Sequence, residues 1–172
     1  MNDGSTDQSA IMAREYIEKT SPPNLSFKLI ENSINSGISH AKNQGMSKMN
    51  GEYFFFAGSD DIHFPDRISV PLAYLANNPD VDIVYSDCEL WHNSNGTNKF
   101  SRRGFPLGMT NENSFLYQLK RSYLWSGLLF ARRSAYLEFD EELSSAVDYD
   151  WYFKHYFKGS LVHFIDHPLA RY

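Results

Sequence analysis

Tyr53-Phe54-Phe55-Phe56-Ala57 is a continuous apolar run that ends on Gly58-Ser59-Asp60-Asp61. The run is far short of the roughly 18–20 residues of a membrane span, and it does not alternate with polar residues. Glu52 to Ala57 is therefore expected to be a strand buried on both faces, which needs covering layers on either side. The segments around it supply them. Ser5, with Gln8 closing a capping box, opens a helix carrying Ile11, Met12, Tyr16 and Ile17, and Pro22-Pro23 ends it. Further helices are expected from Ile38 to about Met49, from Pro65 to about Asn77, and from Asp148 to Phe157. Strands are expected at Ser26–Glu31, Val81–Leu90, Ser126–Ala131 and Leu161–Ile165, with a turn, a hairpin tip, at Asn93–Thr97. Strands alternating with helices predict an α/β chain with a mostly parallel sheet flanked by helices, residues 1–172 forming a single domain.

Composition narrows the function. Sixteen Lys and Arg stand against 21 Asp and Glu, a net charge of −5, with no basic run. Neutralising duplex phosphates needs clustered cations, so no nucleic-acid partner is expected. A phosphate-bearing ligand would need a metal ion or backbone N–H groups instead. Cys88 is the only cysteine. That rules out an intrachain disulfide and a multi-Cys zinc site, and it fits a reducing, cytoplasmic setting. No transmembrane segment is expected, and Met1–Asp7 is acidic and turn-like rather than a signal peptide.

Ligands of open α/β sheets bind where strands end, and acidic groups fall at such places here. Asp3 precedes the first helix, and Asp60-Asp61 follows the Phe-rich strand. Adjacent carboxylates on a tight turn suit a hard divalent ion, or else cap the helix that follows. Asp148 and Asp150 form a second acidic pair, which as helix-start residues could serve the helix dipole alone. His163 and His167 lack a metal-ligand arrangement and read as structural or surface residues. The pairs Arg102-Arg103 and Arg132-Arg133 are either solvated surface or contacts for an anionic ligand.

In order along the chain, these segments resemble one family. Asn2-Asp3-Gly4-Ser5-Thr6-Asp7 resembles the Asp-Asp-Gly-Ser-x-Asp segment of family 2 glycosyltransferases with the GT-A fold. Asn35-Ser36-Gly37 and Ala41-Lys42-Asn43-Gln44-Gly45 resemble its Asn-x-Gly…Ala-Arg-Asn-x-Gly stretch. Gly51-Glu52-Tyr53 through Asp60-Asp61, then Pro65-Asp66-Arg67, is similar to its Gly-Glu-Tyr…Asp-Asp…Pro-Asp-Arg block, which contains the DXD metal motif. Val147-Asp148-Tyr149-Asp150-Trp151 resembles the late Glu-Asp-x-Asp segment, and His167–Tyr172 the Pro-Leu-x-x-Tyr ending.

The resemblance implies a GT-A (nucleotide-diphospho-sugar transferase) fold and inverting, metal-dependent transfer of a sugar from a nucleotide-sugar donor, a UDP-sugar favoured. The acceptor would be a hydroxyl of a saccharide or glycolipid in surface polysaccharide assembly, on the cytoplasmic side or peripheral to the inner face of the membrane. Asp3 would contact the nucleotide base, and Lys42 and Asp60 would serve the donor. Asp61, with Asp60, would bind Mg²⁺ or Mn²⁺, and Asp148 would be the general base. Three positions depart from the family pattern: Val147 stands where Glu is frequent, Lys42 replaces Arg, and Ser59 occupies the first DXD position.

The resemblance also implies that the family's first strand, helix and second strand are lacking before Asp3. An N-terminally incomplete chain of this kind is expected to bind nucleotide weakly, transfer little, and associate as a homo-oligomer through an exposed sheet edge. Two other readings are open: a catalytically silent nucleotide-, metal- or protein-binding module, and a metal-dependent nucleotidyltransferase, which would need no late base. Donor and acceptor specificity is expected in Asp87 to Arg103 and in the loop before Trp125.

Overall fold

The computed structural model describes residues 1–20, 22–94, 97–105, 110–120 and 124–172, and the chain divides into two compact units. The tip of the expected hairpin, residues 95–96, and residues 121–123 of the loop before Trp125 lie outside the described residues.

The first unit holds Met1–Asn50 and Glu138–Val147. Strand β1 (Asn2–Asp3) pairs in parallel with β2 (Glu31–Asn32), joined through helix α1 (Ser9–Lys19). The start of α1 differs from the expected capping box. Asp7, not Ser5, accepts the Ser9 N–H at 2.9 Å, because a carboxylate two residues ahead of the first helical turn reaches a free amide there. Helix α2 (Ile38–Ser47) follows Gly37, whose φ of 94° is the left-handed region that favours glycine. Asn43 of α2 grips the second segment in both directions. Its Nδ2 donates to the Phe139 carbonyl at 2.9 Å and its Oδ1 accepts the Phe139 N–H at 2.9 Å. The apolar face of α1 stays exposed at Ile11, Met12 and Tyr16.

The second unit holds Gly51–Leu137 and Asp148–Tyr172. Its elements are β3 (Tyr53–Phe54), β4 (Ile62–His63), α3 (Ser69–Asn77), β5 (Ile83–Ser94), β6 (Thr97–Arg102), α4 (Asn111–Lys120), β7 (Leu129–Arg132), α5 (Val147–Lys158, all but its first residue in this unit) and β8 (Val162–Arg171). The sheet runs β3-β7-β5-β8-β4, with β6 paired to β5. The α/β class is as expected, but the strand directions are not. Among the described strands only β1–β2 and β5–β8 pair in parallel, and the other pairs are antiparallel. β5 and β6 pair antiparallel as a hairpin, and the other antiparallel pairs join strands distant in sequence.

The Phe-rich segment also departs from expectation. Only Tyr53–Phe54 enters the sheet, on its edge, and only Phe54 is buried. Phe55 instead stacks on Phe130 at 6.1 Å. The doubly buried strand is β5, where Ile83 to Cys88 are all buried between β7 and β8. Leu75, Val81, Val84, Phe130 and Ile165 form a core between α3 and this sheet. Arg132 closes its end, donating to the Val81 carbonyl at 2.9 Å and the Leu75 carbonyl at 2.7 Å. That arginine is therefore structural rather than an anion contact.

His155 of α5 is fully buried, with Nδ1 at 2.9 Å from the Ser160 hydroxyl and its ring 4.0 Å from that of Trp151. Burial, aided by Lys158, pushes its pKa down from 6.5 to about 4. The unfolded chain thus binds a proton at this residue more readily than the folded one. Stability is present in full above pH 6.5 and falls as pH drops toward 4, by up to about 3 kcal/mol. Thermal melts across this range are expected to show the loss, and His155→Gln should flatten it.

Candidate functional site

Beyond Phe54 the chain leaves β3 and turns back on itself at Gly58–Asp61. Both carboxylates of the turn lie against Gly58: a Cβ there would overlap the Asp61 carboxylate and come within 2.9 Å of Asp60 Oδ1. The Gly58 N–H donates to Asp61, while burial, and then the neighbouring Asp60, push the Asp61 carboxyl above the ordinary carboxylate range. The helix-cap alternative does not hold. Helix α3 begins eight residues after Asp61, with Ile68 at its cap position and no side-chain cap.

Asp148 lies in the first turn of α5, and its Oδ2 accepts the Ser126 N–H at 2.9 Å. Ser126 opens a tight 3₁₀ turn, Ser126–Leu128, between Trp125 and β7. Tyr172 brings the two acidic groups into one neighbourhood. Its hydroxyl occupies the space beside Gly127, where a Cβ would overlap it and would lie 3.6 Å from Asp61 Oδ2. Burial, then Asp61, Cys88 and Asp148, raise the Tyr172 phenol far above its usual range. Gly127→Ala is expected to displace that ring and cost about 1–3 kcal/mol, read as a lowered melting temperature.

The Trp125 and Tyr172 rings meet at a tilt of 55° with centroids 4.9 Å apart, and the Arg103 guanidinium stands 3.8 Å over the Trp125 ring. Arg103 is tied to β5 by its backbone, its N–H donating to the Cys88 carbonyl at 2.9 Å. The buried Asp87 accepts the Cys88 and Gly104 N–H groups at 2.8 Å each and pairs with Arg102. Of the two residues, Arg102 is held by Asp87 and Asp166, whereas Arg103 faces the aromatic pair of the site. His163 bonds Tyr74 and His167 bonds Asp66, so both histidines are structural. Asp150, half-buried, pairs with Lys154 one turn further along α5.

Asp3 and Lys42 belong to the first unit. Asp3, at the end of β1, accepts from Asn32 Nδ2 at 2.8 Å, the Ser36 N–H at 3.1 Å and the Gly37 N–H at 2.9 Å. The Asn32 bond first, with the loop amides, holds its carboxyl below the ordinary range. Asp3 is thus the anchor of the 32–37 loop. Gly4 beside it is obligatory: at φ 73° a Cβ would meet the Ile34–Asn35 backbone at 2.5 Å. Lys42 places its Nζ 4.6 Å from the Phe139 ring centroid.

Among the described residues no group of three His, Cys, Asp or Glu encloses a metal. The Asp60–Asp61 pair nevertheless fits a divalent cation: two carboxylates lie together over Gly58, and one of them is raised by burial and by the other. Mg²⁺ and Mn²⁺ are commonly held by one or two carboxylates with substrate phosphates completing the shell, so no all-protein cage is required.

Residues 1–139 match Glycosyl transferase family 2. The chain belongs to that family. An uncharacterized glycosyltransferase of Rickettsia typhi is 30% identical over 174 residues, covering 98% of this chain and 51% of the relative. A chondroitin synthase of Pasteurella multocida is 27% identical over 160 residues, covering 89% of this chain and 15% of that protein. Among solved structures, S. aureus TarS 1–349 aligns with a TM-score of 0.74 at 22% identity over 98% of this chain and 48% of that one. The mannosyltransferase PcManGT of Pyrobaculum calidifontis, in complex with GDP-Man and Mn²⁺, aligns with a TM-score of 0.68 at 18% identity over 99% of this chain and 45% of its own. These neighbours place the chain in the GT-A fold. The chain spans about half the length of two of the first curated relatives it matches and 23% and 21% of two others. No helix among the described residues is long and apolar enough to cross a membrane.

Three site residues were invisible to sequence reasoning in this role. Gly127, Arg103 and Tyr172 act by proximity across strands, and short motifs carry no sign of that. The one available signal for Tyr172 was its place in the Pro-Leu-x-x-Tyr ending.

Proposed function

We propose that residues 1–172 serve as one catalytic domain that transfers a sugar, with inversion, from a nucleotide-sugar donor to a hydroxyl of a saccharide or glycolipid acceptor. The observation that carries this reading is the convergence of Asp61 and Asp148 on the Ser126–Gly127 turn and Tyr172. Asp60 and Asp61 hold Mg²⁺ or Mn²⁺. When bound, that ion offsets the negative charge growing on the departing diphosphate. Asp148 takes the proton of the acceptor hydroxyl as its oxygen bonds to the anomeric carbon and the bond to the diphosphate breaks. The Ser126 N–H orients that carboxylate, and Asp3 and Lys42 serve the nucleotide. UDP-GlcNAc and GDP-Man, the donors named in complexes of structural neighbours, are the first donors to offer. The role belongs to surface polysaccharide or glycolipid assembly on the cytoplasmic face of the membrane.

The test is release of nucleoside diphosphate from these donors with Mn²⁺ present. Turnover of either supports the reading. Metal-independent binding without turnover favours the silent binding module, and transfer of a nucleotidyl group favours the nucleotidyltransferase. We also propose self-association through the sheet edge at β3. Sedimentation is expected to show species larger than 19.9 kDa, and a monomer at all concentrations contradicts it.

A further inference from the structure

Arg67 is 3% exposed. Burying a guanidinium is costly, and an apolar side chain of similar length would fill the same space at less expense. Its contacts show what the charge is used for. Nη2 donates to two backbone carbonyls, Gly127 at 3.1 Å and Leu129 at 2.8 Å, and the guanidinium lies 4.9 Å over the Phe55 ring. Its Nε and Nη1 find no partner among the described residues. Burial lowers its pKa to about 10, so it remains a cation at neutral pH.

Those two carbonyls belong to the turn that touches Asp148. Within it, the Leu128 N–H bonds the Trp125 carbonyl at 2.9 Å, the Leu129 N–H bonds the Ser126 carbonyl, and the Ser86 hydroxyl reaches the Leu128 carbonyl at 3.4 Å. Arg67 supplies the bonds to Gly127 and Leu129 from some 60 residues away in sequence. The Ser126 N–H is then left pointing at Asp148 Oδ2, at 2.9 Å. Nη2 alone carries both bonds through its two N–H groups, a charged double donor that a thioether cannot replace.

We propose that Arg67 is a positioning residue: it fixes the Trp125–Leu129 turn and, through the Ser126 N–H, the orientation of Asp148. The inference rests on reading Asp148 as the general base.

Two measurements on the full chain test it. In the first, hydrogen exchange is followed in Arg67→Met, which keeps length and approximate volume. Residues 124–130 should exchange about tenfold or more faster, while β5 and β8 keep their protection. Unchanged exchange at 124–130 overturns the proposal. Equal loss across β5 and β8 does so as well, because Arg67 would then be a determinant of the whole fold. Should Arg67→Met fail to fold, Arg67→Gln, which is polar but too short to reach both carbonyls, is expected to show the same local loss. The second measurement is nucleoside diphosphate release. Arg67→Met should lower kcat about tenfold with the donor KM nearly unchanged, and should add nothing in an Asp148→Asn background. Normal turnover by Asp148→Asn refutes the base assignment. A slow Asp148→Asn on which Arg67→Met imposes its full further loss refutes only the positioning role.

Discussion

Replacing Asp148 by Asn in the active protein should leave donor affinity nearly intact and lower turnover by about two to four orders of magnitude. The amide keeps the size of the carboxylate and can still accept the Ser126 N–H, so the turn survives while the proton acceptor is lost. Val147, not a Glu able to substitute, precedes it, and the next carboxylate, Asp150, is engaged by Lys154 at 2.8 Å. Steady-state rates of nucleoside diphosphate release measure the effect. Near-normal turnover would reduce Asp148 to a partner of the helix dipole.

Asp61→Ala carries the second large effect. Mn²⁺ is expected to raise the affinity of the protein for UDP by at least about tenfold, or roughly 1.4 kcal/mol, and the substitution should abolish that gain while leaving metal-free binding unchanged. The carboxylate is held over Gly58 beside a second carboxylate, an arrangement that a divalent ion relieves. Calorimetry with and without Mn²⁺ separates this from a purely structural role. In that case Asp61→Ala would lower the melting temperature and leave the metal dependence of UDP binding intact.

Helices α1, α2, α3 and α5 were legible: apolar residues recur at helical spacing in α1, and proline, glycine or asparagine marks where elements start and stop. Strand direction was not legible. It depends on which distant segment pairs with which, and nothing local in Leu129–Arg132 states that both its neighbours run antiparallel to it. Helix α4 escaped notice for a different reason: its pattern is inverted. Ser114 and Gln118 are its buried residues, while Leu116 and Leu119 face outward. Gln118 earns its burial by accepting the Leu124 N–H at 3.3 Å. The Phe-rich run misled in the same way, since aromatic rings that stack on Phe130 read from sequence like residues of a sheet interior.

Of the candidate site, Asp60, Asp61 and Asp148 were readable through the order of motifs along the chain, and the structure adds the turn between them. Arg67 was visible only as part of Pro-Asp-Arg. A charged residue is expected at the surface, and burial of one is a property of the fold around it. Asp3 and Asn43 illustrate the converse. Both lie in motif segments, and each performs a structural task that those motifs did not announce.

The proposed reaction is a single displacement in which Asp148 deprotonates the acceptor while the diphosphate leaves from the opposite side. The anomeric configuration of the first transfer product, read by proton NMR before any mutarotation, tests it most directly. Inversion relative to the donor sugar is the predicted result. A product that retains the donor configuration would contradict the claim, because one in-line attack by a base-activated hydroxyl cannot produce it.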